Sequence, residues 1–485
     1  MSCNMDEFRE LGYRAVDLAA HYLASLPDGP VFQRMPEEAR QAITSMSLPA
    51  DAISGDEILR LLEKHILPHP MGNGHPRFFG WVNSPPAPMA IVTEILAAAM
   101  NPSCAGGDHA AIYLEHCVIR WLMELIGFPT GGSAGILVSG GSAAALTALA
   151  AARHRVLARL GIDVRRQGVS AAPGRLRLYA CAQGHSCHQK AVELLGLGSV
   201  SIRWIEVDAA FRMSPEHLRR AIEEDRRQGW HPLAIVANAG SVNTGAIDPL
   251  DALAEVADAE SVWLHVDGAY GVAGMLDPAT KPLFGGLDRA DSIALDPHKW
   301  LSVPVECGCV LVRDGALLRD TFSLVPPYLR TEPGKGFGNL PWFAEYGFQQ
   351  TRGFRALKLW AAIMHAGTKG IAERVARQIA LARCLEERIA SSNDLELCTR
   401  GRLSIVCFRF VPTELAGNDT ELNQLNQEIM AHVQASGKAF LTNTMLNGRF
   451  WLRACILHYA TTEADLDALL EAVRSAASSP SCSQR

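Results

Sequence analysis

A chain of 485 residues is longer than a single hydrophobic core usually spans, so a large domain with one or two smaller ones is expected. Apolar residues make up 48% and charged residues 20%, which excludes a disordered chain. The net charge of −6 gives no reason to expect nucleic acid or an anionic membrane as partner. The twelve cysteines include no CxxC pair, and Cys181/Cys187 and Cys307/Cys309 fit neither zinc spacing nor a stapled scaffold. Reduced, mostly buried thiols in the cytoplasm are therefore expected, with no metal.

In chain order, the first ten residues carry Asp6, Glu7 and Glu10 and lack a basic-then-apolar signal pattern. Phe8, Leu11, Ala15, Leu18, Ala19, Tyr22 and Leu23 recur at helical spacing and predict an amphipathic helix over 6–25. Its apolar stripe must be buried on the main body or on a second subunit. A second helix is predicted over 55–66, ahead of a Pro- and Gly-rich segment, 68–88. From 89 to 310, helical patterns alternate with short apolar runs at 135–138, 176–180, 201–205, 234–237, 262–266, 292–295 and 308–312. That alternation is the mark of an α/β core with a mainly parallel sheet. No stretch reaches the roughly 20 apolar residues of a membrane helix. Residues 325–350 read as a long loop, and loops of that length are uncommon unless functional or disordered. A helix over 353–392 follows, then strands at 403–410 and 450–455 with helices 419–436 and 462–476. The expected division is 1–88 (N-terminal helical segment), 89–360 (large α/β domain) and 361–485 (small C-terminal α+β domain).

Three motifs carry chemistry. Asp296-Pro-His-Lys-Trp300 leaves an apolar strand and places Lys299 where burial should lower its pKa, as an amine that attacks carbonyls requires. His265-Val-Asp-Gly-Ala-Tyr270 also ends a strand, where α/β sheets gather ligands, and a buried Asp267 calls for a cationic partner such as a pyridinium N–H. Val138-Ser-Gly-Gly-Ser142, between a strand and an Ala-rich helix, suits an anion at a helix N-terminus and is neither a Walker loop nor GxGxxG. Taken singly, each has an ordinary reading: a surface lysine, an aspartate closing a turn, a serine capping a helix.

Together with Gly184-His-Ser186, these motifs are ordered as in the group II pyridoxal-phosphate decarboxylases, which the chain resembles over most of its length. That family includes the aromatic-L-amino-acid, histidine, tyrosine and glutamate decarboxylases. The likeness extends to His75-Pro-Arg-Phe-Phe79, Leu114-Glu115 to Trp121, Arg352-Gly-Phe-Arg-Ala-Leu-Lys-Leu-Trp360 and Arg453. It implies the aspartate-aminotransferase-like fold type I, with a mainly parallel seven-stranded sheet. It also implies a homodimer with interfacial active sites and residues 1–60 wrapping the partner. The cofactor would be pyridoxal 5′-phosphate (PLP), carried by Lys299, with Asp267 on the ring nitrogen and His185 and Ala269 on the two ring faces. Gly141, Ser142 and His298 would bind the phosphate. The reaction implied is decarboxylation of an L-amino acid, aromatic or bulky, to the amine and CO₂.

Four positions depart from the family's animal aromatic branch. Asp296 replaces a frequent asparagine, and an anionic side chain there sets it outside the phosphate set. Ser241-Val242 replaces two hydroxyl residues. Counting back from Arg352, the tyrosine that returns a proton to Cα aligns with Phe343, and a phenyl ring cannot donate a proton. Tyr346 and Tyr328 are the alternative donors, and an aldehyde synthase, releasing aldehyde, CO₂ and ammonia, is the alternative activity. In the substrate pocket, Trp81 keeps one aromatic wall, Asn83 and Ser84 could contact the carboxylate, and Asn101 and Ser103 replace apolar and aromatic groups. A catalytically silent regulatory homologue, or another enzyme of the same fold, completes the range of readings.

Overall fold

The computed structural model describes residues 4–324 and 342–479. It divides into two compact units, Pro86–Arg383 with Thr399–Ile405, and Met1–Pro85 with Cys384–Cys398 and Val406–Arg485.

The larger unit is built on seven strands, β1 (Ala134–Val138), β2 (Leu176–Cys181), β3 (Ile202–Ile205), β4 (His231–Asn238), β5 (Trp263–Asp267), β6 (Ser292–Leu295) and β7 (Gly308–Val312). Their order across the sheet is β1-β7-β6-β5-β4-β2-β3. From β6 to β3 all neighbours are parallel, whereas β7 runs antiparallel to both β6 and β1. All seven lie at the predicted apolar runs, because strands covered on both faces are apolar nearly throughout. Helix Gly141–Arg159 packs across β4 to β7 through buried Ala144, Ala145, Ala148, Ala151 and Ala152. These small side chains let its backbone lie close to the sheet. The predicted 353–392 helix forms as Arg355–Ala390, interrupted at Gly367 (φ 65°). Among the described residues no helix is long and apolar enough to cross a membrane.

β1 is an edge strand, and its exposed edge is closed by a buried ion pair. The Leu137 N–H donates to Glu115 Oε1 (3.1 Å), and the Leu137 carbonyl accepts from Arg352 (2.6 Å). Arg352 also bonds both carboxylate oxygens of Glu115 and the carbonyl of Cys104 (2.8 Å). Both side chains are 0% exposed. An unpaired strand edge in the interior would be costly, and this pair holds β1 in place just before the Ser139–Gly141 loop.

The other unit carries helices Met5–Ser25, Glu37–Thr44 and Gly55–His65 and a four-stranded sheet of β8 (Leu395–Leu397), β9 (Ile405–Phe410), β10 (Thr442–Leu446) and β11 (Arg449–Cys455), in the order β10-β11-β9-β8. Helices Asp419–Ser436 and Glu463–Ala477 pack with it, and Val31, Phe78 and Phe440 form a small core.

Replacing Glu115 by Gln leaves the fully buried Arg352 without its anion, a change that typically costs 3–5 kcal/mol, taken here as an order of magnitude. The urea midpoint of Glu115→Gln should fall by an amount corresponding to about that loss, and an unchanged midpoint would contradict the role given to this pair.

Candidate active site

Four strand ends converge on one edge of the large sheet. β5 terminates in Asp267, β6 hands over to Asp296-Pro-His-Lys299, β1 leads into Ser139-Gly-Gly141, and the turn after β2 carries His185. β7, being antiparallel, begins at this edge with Gly308. A Cβ on Gly308 would lie 2.4 Å from the Gly140 Cα, so only glycine lets β7 and the β1 loop meet there. A Cβ on Gly141 would lie 3.1 Å from Asp296 Oδ2 and 3.3 Å from the Ala269 Cβ. The loop that opens helix Gly141–Arg159 is thereby held against both of the other motifs. No side chain caps that helix, so its first amides are left for another acceptor. Ser142 stands exposed in its first turn.

The two strand-end loops are fastened to each other and from behind. Asp296 N donates to the Ala269 carbonyl (3.1 Å) and Ala269 N to Asp267 Oδ1 (3.1 Å). Trp300 stacks on Tyr270 at 5.0 Å and donates to Gln378, while the Tyr270 hydroxyl bonds the Ser404 hydroxyl at 2.6 Å. The His298 Nδ1 accepts from Cys307 N (3.1 Å), which leaves Nε2 as the donor facing Asp296 Oδ2 at 3.7 Å. His185 Nδ1 accepts from Cys187 N (3.1 Å), and its ring is exposed at the mouth of the site.

Charge at this edge is concentrated and paired. Asp267 is 9% and Asp296 6% exposed. Lys299 Nζ lies 3.0 Å from Asp296 Oδ2, while Asp296 Oδ1 has no hydrogen-bond partner among the described residues. Burial by itself lowers the Lys299 pKa, but the carboxylates of Asp296 and Asp267 outweigh it and hold the amine above the ordinary lysine value. The sequence-based expectation of a lowered pKa is thus reversed, because the two carboxylates outweigh the burial. Burial pushes the Asp267 pKa up, but His188 first and Lys299 second outweigh it and hold the carboxyl below the usual aspartate value.

Lys299, Asp267, Ala269, Gly141, His298 and His185 are therefore brought to one place, and Asp296 joins them at its centre. Asn101, in the left-handed conformation (φ 43°) at the end of helix Pro88–Met100, lines a surface pocket with Glu94, Glu306, Arg355 and Lys358. Ser103 is exposed close by. Trp81, 49% exposed, packs at 5.4 Å on Phe440 in the other unit, its carbonyl accepting from Arg453 (3.0 Å). Asn83 is half-buried, and the buried Ser84 accepts from Asn73 through its carbonyl (3.3 Å). Phe343 is buried, stacked near His116 (4.5 Å) with the Arg352 guanidinium 5.1 Å away, so its ring is a packing element of the β1 edge. Tyr346, half-buried, lies three residues on with its ring 6.0 Å from that of Phe343; Tyr328 lies outside the described residues. His188, one helical turn past His185 and 3.5 Å from Asp267, was not singled out from sequence. Only its spacing from His185 could have pointed to it.

The pyridoxal-dependent decarboxylase conserved domain matches residues 36–411. The chain belongs to the pyridoxal-dependent decarboxylase family. It is 33% identical to an aromatic-L-amino-acid decarboxylase of Bacillus atrophaeus over 100% of its own length and 98% of that protein's. A phenylacetaldehyde synthase of a Rosa hybrid cultivar is 29% identical, over 93% and 90% of the two chains. Among solved structures, Oryza sativa TDC with PLP and tryptamine superposes with a TM-score of 0.91 at 28% identity, covering 98% of each chain. The protein is accordingly a PLP-dependent amino-acid decarboxylase of fold type I.

In this decarboxylase, Asp296→Asn removes the strongest upward influence on Lys299. Its pKa should fall, moving the onset of Lys299 acylation by an amine-selective reagent to lower pH. Competitive labelling across pH, read by mass spectrometry of the cofactor-free protein, checks this; a midpoint that stays or rises contradicts it.

Proposed function

We propose that Lys299 carries PLP and that the protein decarboxylates an aromatic L-amino acid to its amine. The observation that supports this most is the pairing of the half-buried Lys299 with the buried Asp296, with the buried Asp267 carboxylate also acting on it, at the sheet edge. The residues present suit the cofactor. The uncapped helix N-terminus with Gly141, Ser142 and His298 offers donors to a phosphate, Asp267 offers a buried carboxylate to the ring nitrogen, and His185 and Ala269 would face the two sides of the ring. When bound, PLP supplies an electron sink for the bond broken between Cα and the carboxyl carbon.

The chain's own residues do the rest. Lys299 must give up a proton before its amine can attack a carbonyl, and Asp296 Oδ2, 3.0 Å away, is placed to take it. Asp267 keeps the ring nitrogen protonated. Trp81, Asn83 and Ser84 would line the substrate side chain and carboxylate, with Asn101 and Ser103 contributed by a second copy. Tyr346, a phenol and so able to donate where Phe343 cannot, returns the proton to Cα. An aromatic side chain is favoured by the likeness to the Bacillus atrophaeus enzyme and to the rice structure that holds tryptamine.

A homodimer accords with helices Met5–Ser25, Glu37–Thr44 and Gly55–His65, none of which has a buried residue. Phe8, Tyr13 and Val16 lie exposed on the first of them. An apolar surface of that kind is normally covered by a partner. The free thiols, most of them buried, suit the reducing cytoplasm.

With a panel of L-amino acids, the best substrate should give amine and CO₂ in equal amounts without peroxide, and Lys299→Ala should give neither. Aldehyde, ammonia and peroxide at parity with CO₂ would establish the oxidative activity instead. Tyr346→Phe should slow amine release by about 100-fold, the lower range for loss of a general acid; an unchanged rate would remove Tyr346 from the mechanism.

A further inference from the structure

His188 opens a feature behind the site that the mechanism above does not use. It lies in the first turn of helix Cys187–Leu194 and is 4% exposed. Its Nδ1 is 3.0 Å from the His185 carbonyl oxygen. A carbonyl only accepts, so Nδ1 carries a hydrogen. Nε2 lies 3.5 Å from Asp267 Oδ2 and has no hydrogen-bond partner among the described residues. A neutral ring protonated at Nδ1 would set a lone pair against a carboxylate oxygen. Only with a proton on Nε2, directed at Oδ2, is this contact attractive.

We propose that His188 is a positioning residue for the cofactor: sharing that proton, it holds the Asp267 carboxylate ionised and oriented, with its remaining lone pairs turned to the ring nitrogen. The proposal rests on the assignment of Asp267 to that nitrogen. Through the His185 carbonyl, the same imidazole also ties the His185 segment to Asp267.

No other group facing His188 can take this part. His265, with ring centroids 5.9 Å apart, is held neutral by burial, its pKa lowered to about 3, and its Nδ1 is bonded to Ser292 (2.9 Å). Burial pushes the Cys187 thiol well up and Cys181, which lines the same small cavity with His188, up to about 12, so both stay uncharged near neutrality. His185 contributes its carbonyl, and Lys299 acts on Asp267 from the cofactor side. Without His188, burial would be opposed by fewer cations and the Asp267 pKa would rise. The carboxylate would then be lost, as pH falls, sooner than in the wild type.

The test is an equilibrium titration of cofactor-free full-length protein with PLP and with an analogue whose ring nitrogen is replaced by C–H, at pH 6 and pH 8. Wild type should prefer PLP. His188→Leu should weaken PLP binding by about tenfold, the scale of a lost hydrogen bond to a charged group, more at pH 6 than at pH 8, and leave the analogue unaffected. His188→Gln, which keeps a donor without the charge, should fall between the two. PLP binding by His188→Leu with wild-type affinity and pH dependence, or equal weakening for both ligands, would overturn the proposal. Should the leucine variant not fold, His188→Gln decides alone, and wild-type PLP affinity at pH 6 then overturns it. Equal affinity of the wild type for the two ligands would instead overturn the assignment of Asp267, and this proposal with it.

Discussion

Two carboxylates buried at the ends of adjacent parallel strands set the terms for everything around them. Asp267 closes β5 and Asp296 follows β6, and the pairing of Asp267 with Ala294 fixes the register between them. Burying one such group unpaired costs several kcal/mol, so the fold has to deliver positive charge or donors to this edge. It does so with Lys299 at 3.0 Å from Asp296, with His188 at 3.5 Å from Asp267, and with the amide of Ala269. In the cofactor-free chain the site is thus internally compensated. In the reading proposed above, PLP would exchange one set of partners for another, with Lys299 carrying it, Asp267 facing the ring nitrogen and the open amides of helix Gly141–Arg159 facing the phosphate.

The surrounding architecture serves that exchange by being rigid. Glu115 and Arg352 close the β1 edge at Leu137, two residues before Ser139. Gly308 lets β7 pass against Gly140, and the stack of Trp300 on Tyr270 joins the two strand-end loops. Each contact places backbone, so that the reacting side chains are held by elements rather than by their own rotamers.

Much of this was legible in the sequence, for identifiable reasons. The seven strands of the large sheet are short apolar runs because both faces are covered, and their ends announced Asp267, Lys299 and the Gly140–Gly141 loop. What escaped notice depends on tertiary neighbours. β8 has three residues, and β10, Thr442–Leu446, alternates buried with exposed and carries two threonines and an asparagine, so neither has the apolar signal of a core strand. The direction of the Lys299 pKa shift turns first on Asp296, whose side chain meets the amine only in the folded loop, and then on Asp267, which β5–β6 pairing brings alongside. Phe343, aligned with the proton-donating tyrosine, is a buried ring near His116 and the Arg352 guanidinium, neighbours that only the folded β1 edge brings to it. His188 is one turn beyond His185, and nothing local to that short helix shows that its ring points back to a carboxylate.

On this account the amine paired with Asp296 is the one that carries the cofactor. Borohydride reduction of the protein loaded with PLP, followed by digestion and mass spectrometry, tests it most directly. The phosphopyridoxyl group should be found on the peptide containing Lys299 and on no other. Attachment at Lys358, Lys190 or any other lysine would contradict it.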